Sequence, residues 1–597
     1  MKQVREHRDD LLARLPRLQI AFMVLLMMVG SSYWLVQVVR GDYYRERADN
    51  NRMRALAIKA PRGLIYDRKG RLLVENVPSY DLLLDRDLLL DRSRSRDLDR
   101  GLAFAAGTLG RPVSDFQAVL ERNRDGPVLI AEDLSLSEVS RLAVSALEYP
   151  EFEIDVGHLR LYRYGPLTAH VLGHLGEATE VDLSRPGSPY RVGDLVGKKG
   201  VEEAFDLLLR GRDGERLVIV DSRGRVRREA GRDPATPGQA IELTLDLELQ
   251  QIAARYFEGK VGAAVALDPR TGEVLVLVSA PSYNPNLFAR RLDQSSWKEL
   301  LEAPHHPLQN RGIQSTYSPG SIFKIVLAVA GLTEGTVAPH DAVFCGGATR
   351  IYSQRFRCWK RSGHGWVNLR RAIKESCDVY FYLLGQQLGI ARIAHYARLF
   401  GLGKPTGFDI SGEKKGLVPD PEWSLTQRGS PWYPGETISV AIGQGPVLVT
   451  PLQIASLMAI VANGGHRVVP RLARQGKPEL EPVGLDPRAL EAIRDGLWAV
   501  VNERGTGAVA RIPGLDVVGK TSTVQVVRQR TWVDSEDLPF DKRDHAWFVS
   551  FATAGERQLV VAVFVEHGGK GSAMAVPLAR LLYESHFRDV LEPRRAV

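Results

Sequence analysis

The chain has few cysteines, no internal repeat and no low-complexity tract. Three cysteines in 597 residues exclude a disulfide-dense scaffold. A net charge of +8 comes with no basic-aromatic platform or recognition helix, which argues against a nucleic-acid partner. Hydrophobic residues make up 44% and charged residues 25%, a composition typical of folded protein. The length predicts about three to four domain-sized units.

Long hydrophobic runs are also scarce, and the one that stands out is the uncharged stretch at residues 18–39. As a helix it would be about 33 Å long, which is enough to cross a bilayer core. A buried core helix and a cleaved signal peptide are the alternatives, but the exit from the run, SSYWLVQVVRGDYY, is bulky and lacks the small-x-small cleavage pattern. We therefore predict an uncleaved transmembrane signal anchor behind a cytoplasmic tail of residues 1–17. Basic residues flank both ends of the run, so charge does not decide its orientation in the membrane. The orientation is inferred instead from the proposed function, whose substrate lies outside the cytoplasm.

Residues 40–235 and 240–590 differ in pattern. The first range mixes short strand-like runs with turns rich in Gly and Pro, which predicts an extended α+β module. Its beginning, residues 43–60, is polar and is expected to form a helical stalk. A linker at 232–239 leads into the second range, where helix and strand patterns are denser and predict a compact α/β domain.

A candidate nucleophile, Ser321, follows the turn formed by residues 317–320. The next residues are strongly apolar and predict a helix that begins at Ser321, where free backbone N–H groups favour a developing oxyanion. Lys324 follows by almost one turn, so it shares a face with Ser321. As a desolvated amine it could accept the hydroxyl proton. Serine is also an ordinary helix cap, so this pair alone does not establish catalysis.

Two later segments support the catalytic interpretation. Ser376 and Asp378 follow a helical pattern, and Ser376 could relay a proton between Lys324 and a leaving amine. The other segment continues a predicted strand and comprises Lys520, Thr521, Ser522 and Thr523. There a cation and hydroxyls can bind a substrate carboxylate, and a backbone N–H can complete an oxyanion hole.

In this order, S-x-x-K, S-x-D and K-T-S resemble the motifs of the penicillin-binding proteins and serine β-lactamases. PRGLIYDRKG at 61–70 and GKKGVE at 197–202 are similar to class B pedestal signatures. WYPGET at 432–437 and GHG at 363–365 are similar to the elongation-specific branch. The resemblance implies a transpeptidase domain at 240–590 with a central antiparallel sheet between helices. It also implies an α+β pedestal at 40–235 and a single N-terminal transmembrane helix at 18–39.

The resemblance further implies a peptidoglycan D,D-transpeptidase that cross-links stem peptides during cell elongation and is a penicillin target. Ser321 would attack the D-Ala-D-Ala carbonyl with Lys324 as base, and Ser376 would protonate the departing D-Ala. Two backbone N–H groups, of Ser321 and Thr523, would receive the oxyanion. The substrate carboxylate would be held by Lys520 and Thr521.

The implied setting is the cytoplasmic (inner) membrane, with one membrane helix and a periplasmic catalytic domain. The substrates would be stem peptides on glycan derived from lipid II, and no organic cofactor is implied. No glycosyltransferase motif precedes the pedestal, so the implied partner is a SEDS-type glycosyltransferase of the rod complex. The alternatives are a division-specific transpeptidase, a β-lactamase or D,D-carboxypeptidase, and a β-lactam sensor or non-catalytic scaffold that activates a glycosyltransferase. The anchor and pedestal argue against a hydrolase, and the intact Ser321/Lys324 pair argues against a pure scaffold.

Two positions depart from the pattern of many relatives. Asp378 stands where many carry Asn. Ser522 replaces the usual Gly, which puts in doubt the close approach that glycine permits on that strand. Activity is expected to survive, because serine is the next smallest choice.

The three cysteines lie in one short region of the sequence, and a histidine lies between the last two of them. A disulfide between Cys345 and Cys358 would leave Cys377 as an odd thiol. Together with His364, the three cysteines would instead satisfy a tetrahedral Cys3His zinc site. Their spacing also resembles a zinc site in some elongation transpeptidases. We favour a structural Zn²⁺, because a closed shell of four protein ligands leaves no position for catalytic water.

Overall fold

The computed structural model describes residues 2–45, 53–84, 95–122, 128–149, 151–220, 226–290, 292, 294–474, 476, 478–527 and 533–592. The chain divides into two compact units, one of residues 1–61, 78–158 and 211–237 and the other of residues 62–77, 159–210 and 238–597. The last change of unit falls inside the predicted linker, but two pedestal segments group with the catalytic half. The predicted domain ranges therefore stay a prediction.

The N-terminal helix is, among the described residues, the one element long and apolar enough to cross a membrane. It is α-helical over Lys2–Trp34 and π-helical over Leu35–Val39. Its apolar stretch, Leu15–Val39, has 25 residues, which is sufficient for a bilayer core. The predicted anchor at residues 18–39 lies within it.

The first compact unit contains a three-stranded antiparallel sheet and a helical cluster. The strands, in sheet order, are Met53–Ile58, Gly214–Val220 and Val226–Asp233. The helical stalk predicted for residues 43–60 is therefore wrong over Met53–Ile58, whose backbone pairs with a strand about 160 positions later. The helices are Ser95–Leu109, Val113–Arg122 and Leu136–Val144, and strand Val128–Ala131 pairs with residues 82–84.

The two predicted pedestal signatures meet at a buried carboxylate. Glu202 is fully buried and accepts from Arg62 Nη2 at 2.8 Å and from Arg160 Nε at 2.7 Å. Removing Glu202 would leave two buried guanidinium groups without this shared partner, so the network restricts these residue types. The surrounding strands are Ile65–Tyr66, Leu72–Leu84, Phe152–Tyr162, Leu175–Glu177, Leu195–Gly197 and Ile241–Glu242. The short helices are Ala169–Leu172, Glu180–Leu183, Gly200–Ala204 and Asp206–Arg210.

The catalytic half is organised around a five-stranded antiparallel sheet, as predicted. Its strands are β1 (Gly262–Leu267), β2 (Val274–Ala280), β3 (Asp516–Val524), β4 (His545–Ala554) and β5 (Arg557–Val565), in the order β2-β1-β5-β4-β3. Nearly every residue of β1, β2 and β5 is buried. Both faces must therefore be covered, which explains the continuous runs of Val, Ala and Leu. β3 forms one edge of the sheet.

Helices cover this sheet and supply the candidate site. The apolar helix α1 (Lys324–Thr333) is almost wholly buried and packs against α2 (Asp378–Leu399). The other helices are Leu247–Tyr256, Gln294–Glu302, Leu369–Lys374, Pro421–Arg428, Pro434–Val440, Pro451–Ala462, Pro487–Asn502, Gly571–Met574, Val576–His586 and Arg588–Leu591. The small hairpins pair Val343–Cys345 with Gly365–Val367, Ala348–Ile351 with Gln354–Arg357, and His466–Val468 with Leu480–Pro482.

Candidate active site

Ser321 lies on a 3₁₀ turn, Gly320–Phe323, that runs directly into α1. The α-helix predicted to begin at Ser321 therefore begins three residues later. Residues three apart are aligned in a 3₁₀ turn, so Lys324 still shares a side with Ser321. The Gly320 N–H donates to the Gly443 carbonyl at 2.9 Å, and a Cβ on Gly443 would lie 2.1 Å from the Gly320 oxygen. This close backbone contact fixes the nucleophile turn.

A chain of polar contacts links Ser321 to Asp378. Ser376 Oγ donates to Ser321 Oγ at 3.0 Å. Lys324 Nζ donates to Ser376 Oγ at 3.2 Å, to the Ser376 carbonyl at 3.0 Å and to Asp378 Oδ1 at 2.6 Å. Three donated bonds are the full capacity of a lysine ammonium group. Within the described residues Ser321 reaches Lys324 through Ser376, not by a direct hydrogen bond.

Ser376 has a left-handed backbone conformation, with φ at +55°. The helix Leu369–Lys374 ends just before it and α2 begins just after it. A non-glycine residue in this region costs on the order of 1–2 kcal/mol, and such strain is common at functional sites. The turn brings the Ser376 hydroxyl between the nucleophile and the lysine.

Three ionisable groups are buried together at this point. Lys324 is 1% exposed and Lys520 is 0% exposed. Burial raises the pKa of Asp378, and the charge of Lys324 opposes the rise. Burial, and then the charge of Lys324, lower the pKa of Lys520, while Asp378 acts in the other direction. The site therefore disfavours two ammonium groups at the same time.

The third motif lies on β3, beside the nucleophile turn. Thr521 Oγ1 lies 2.6 Å from Thr506 Oγ1, and Thr523 is exposed. The buried Lys520 donates from Nζ to the Thr521 carbonyl at 3.1 Å. The predicted direct contact between Lys520 and a substrate carboxylate stays a prediction.

Ser522, at the position where relatives carry glycine, faces the nucleophile. Its Oγ accepts a hydrogen bond from the Ser321 backbone N–H at 2.8 Å. That N–H, which was predicted to receive the oxyanion, is therefore already occupied here. A Cβ on Gly320 would lie 2.2 Å from Ser522 Oγ. The close approach between β3 and the nucleophile turn thus depends on the missing side chain of Gly320, not on a glycine at position 522.

The three cysteines and His364 form a buried cluster in which the four ligand atoms lie within 4.8 Å of one another. His364 Nδ1 is 3.5 Å from Cys345 Sγ and 3.6 Å from Cys358 Sγ. Tetrahedral zinc with bonds of about 2.3 Å to sulfur and 2.0 Å to nitrogen separates such atoms by roughly 3.6 Å. All three thiols, including that of Cys377, are free. The donor set and its spacing fit the predicted zinc site.

Two residues at the site were not identified from the sequence. Trp359 donates from its backbone N–H to Asp378 Oδ2 at 2.9 Å and from its indole to the Ser376 carbonyl at 3.1 Å. Thr506 orients Thr521 through their shared hydrogen bond. Neither lies in a catalytic motif. For Trp359 the one available signal was its place next to Cys358. If Cys358 and Cys377 bind one metal ion, the residues that follow them, Trp359 and Asp378, must also lie close together.

Comparisons with known proteins agree with this arrangement. Residues 262–584 match the Penicillin binding protein transpeptidase domain, and residues 57–243 match the Penicillin-binding Protein dimerisation domain. The chain is 35% identical to "Peptidoglycan D,D-transpeptidase MrdA" of Haemophilus influenzae, over 96% of this chain and 92% of that protein. It is similar to Penicillin-Binding Protein (PBP2) from Helicobacter pylori in a complex with MreC (TM-score 0.80, 27% identity, 90% of this chain and 99% of that chain). It is also similar to a chain in a structure described as "Structural coordination of polymerization and crosslinking by a peptidoglycan synthase complex" (TM-score 0.70, 32% identity, 96% and 98% covered).

Proposed function

The chain belongs to the elongation-specific class B penicillin-binding proteins and is a peptidoglycan D,D-transpeptidase, and on this basis we propose that Ser321 carries the acyl group. One observation supports this assignment above all: Ser321 Oγ, Ser376 Oγ, Lys324 Nζ and Asp378 Oδ1 follow one another at 3.0, 3.2 and 2.6 Å. A hydroxyl connected to a buried amine is the arrangement that nucleophilic acyl transfer requires.

In acylation, Ser321 Oγ attacks the carbonyl carbon of the penultimate D-Ala of a stem peptide. Its proton passes through Ser376 to Lys324, so the Ser376 hydroxyl turns to accept from Ser321 and donate to Lys324. Lys324 acts in this step as the amine, because only the neutral amine can take up the proton. The peptide C–N bond then breaks, and the departing D-Ala takes the proton back through Ser376.

The substrate carboxylate is held by the hydroxyls of Thr521 and Thr523. Lys520 has a positioning role, because its buried Nζ fixes the carbonyl of Thr521. The Thr523 and Ser321 backbone N–H groups stabilise the oxyanion. In the second half-reaction, an amine from a neighbouring stem attacks the ester, forms the cross-link and releases Ser321.

Mass spectrometry after incubation with benzylpenicillin tests the nucleophile. One stable adduct is expected on the peptide that contains Ser321, and Ser321→Ala should abolish it. Ser318→Ala is the matched control, since it removes a hydroxyl from the same turn and should leave the adduct intact. An adduct on another residue would contradict the assignment. Rapid hydrolysis of penicillin without an accumulating ester would favour the β-lactamase alternative.

We further propose that Cys345, Cys358, His364 and Cys377 hold a structural Zn²⁺. The metal would fix the S-x-D segment, because Cys377 lies inside it. Metal analysis of protein purified without chelator or added zinc should give close to one Zn²⁺ per chain. His364→Ala should lower that ratio. A ratio near zero, with two thiols lost to oxidation, would instead support the Cys345–Cys358 disulfide.

The apolar helix supports membrane anchoring, and we propose an N-terminus in the cytoplasm and a catalytic domain in the periplasm. Protease added to spheroplasts should digest the catalytic domain and spare an epitope at the N-terminus; the opposite pattern would overturn this topology.

We also propose a SEDS-type glycosyltransferase of the rod complex as partner. A relative occurs in a peptidoglycan synthase complex, which supports such a pairing. Co-purification of such a polymerase with the full chain tests it, and its absence after crosslinking in cells would count against it.

A further inference from the structure

We propose that the Ser522 hydroxyl occupies the oxyanion position of the resting enzyme and must turn away before Ser321 is acylated. The inference rests on the proposed role of Ser321 as nucleophile. It starts from the hydrogen bond in which the Ser321 N–H donates to Ser522 Oγ at 2.8 Å. Ser522 is 2% exposed, so little water competes for this contact.

Ser522 Oγ and a substrate oxygen cannot both bind the Ser321 N–H, because both would lie at the same distance from it. Oxyanion-hole donors act when they lie about 2.7–3.1 Å from the developing oxyanion. Ser522 Oγ already lies at that distance from the Ser321 nitrogen and accepts its N–H. A substrate oxygen that used the same N–H would enter the space that Ser522 Oγ fills. The resting rotamer and productive binding therefore exclude each other.

The fold holds this hydroxyl in place from both sides. Side chains alternate along a strand, so Ser522 shares a face with the buried Lys520. Across the contact, Gly320 has no side chain, and a Cβ there would lie 2.2 Å from Ser522 Oγ and 2.7 Å from Val524 Cγ2. Behind the strand, a Cβ on Gly571 would lie 2.6 Å from the Ser522 carbonyl. With its backbone confined, Ser522 clears the site by rotating about Cα–Cβ into another staggered position.

The hydroxyl thus replaces a substrate oxygen while none is bound. It satisfies the partly buried backbone N–H of Ser321. Acylation must then exchange this bond for the bond to the substrate. A neutral hydrogen bond of typical net strength corresponds to a rate penalty of roughly two- to tenfold. A relative with glycine at this position would not carry the penalty.

The test compares acylation rates of the full-length protein. Ser522→Gly and Ser522→Ala should both raise the second-order rate constant for labelling by a fluorescent penicillin, by about two- to tenfold. Two variants are used because alanine keeps Cβ and removes only the hydroxyl. Ser550→Ala is the matched control: this buried serine of β4 bonds Tyr583 Oη at 2.7 Å, and its loss should not accelerate labelling. An unchanged or lower rate in both Ser522 variants would overturn the proposal, and a lower rate would make the hydroxyl a donor to the oxyanion.

A structure of the penicillin acyl-enzyme supplies the second readout. The Ser321 N–H should donate to the acyl carbonyl, with Ser522 Oγ in a different rotamer. Ser522 Oγ still bonded to the Ser321 N–H would overturn the proposal. These results are separate from the function of Ser321, because wild-type protein that forms no adduct would refute the nucleophile itself.

Discussion

Removing Asp378 should destabilise the protein strongly, because it leaves the ammonium group of Lys324 buried without its partner. The two side chains are 12% and 1% exposed, and their charged atoms lie 2.6 Å apart. Breaking such a pair from one side typically costs about 3–5 kcal/mol. With an unfolding entropy of about 2.1 cal/mol/K per residue over residues 262–584, this corresponds to a fall of roughly 4–7 °C in the melting temperature.

Thermal unfolding of the full chain in detergent measures this effect. Asp378→Ala is compared with the double variant Lys324→Met/Asp378→Ala, which buries no charge and should recover part of the loss. Glu302→Ala is the control, since its partner Lys298 is 71% exposed at 3.8 Å and the shift should stay below about 1 °C. A double variant as unstable as Asp378→Ala would refute the buried-charge explanation and indicate disruption of the neighbouring cysteine cluster.

Three further predictions follow. Gly443→Ala should slow penicillin labelling on the order of a hundredfold, because its Cβ would lie 2.1 Å from a backbone oxygen; Gly445→Ala has a similar positive φ but open space to 3.7 Å, and should label at nearly the wild-type rate. Burial raises the pKa of Asp544 to about 6 from 3.8, so folding favours the neutral acid and stability is lost as the pH rises through 6. Asp544→Asn should therefore be up to about 3 kcal/mol more stable than wild type at pH 8 but not at pH 3.5, and equal melting curves at both pH values would contradict this. Removing zinc with a chelator should lower the melting temperature and slow labelling, because Cys377 lies inside the S-x-D motif; unchanged labelling of metal-free protein would disprove the coupling.

Local signals predicted a compact α/β domain at residues 240–590, and the family resemblance implied its central antiparallel sheet. β1, β2 and β5 are continuous apolar runs, and only a sheet covered on both faces can bury them. The strand Met53–Ile58 was missed because its six residues, MRALAI, do not distinguish a strand from a helix and its partner lies far along the chain. The 3₁₀ turn at Ser321 was also missed, since four residues do not distinguish a 3₁₀ from an α-helical period.

The candidate site was predicted where chemistry restricts residue types at fixed spacing. Ser321, Lys324, Ser376 and Asp378 lie together because each motif falls on one short element next to α1 or α2. Their individual roles stay predictions. The hydrogen bond from Ser321 to Ser522 could not be predicted, because the rotamer of Ser522 depends on the turn that faces it.

The place of β3 at the edge of the sheet has a consequence for what the enzyme can accept. Such an edge presents backbone groups without a neighbouring strand, and many proteins protect it against unwanted pairing. Here the edge lies beside the nucleophile, so an extended peptide could align along β3 through main-chain bonds, with its terminal carboxylate at the Thr521 and Thr523 hydroxyls. Main-chain bonds do not distinguish between the side chains of the bound peptide. Discrimination between stem peptides would then have to come from residues outside β3. A change in the backbone of β3 would weaken the binding of every stem peptide to the same extent.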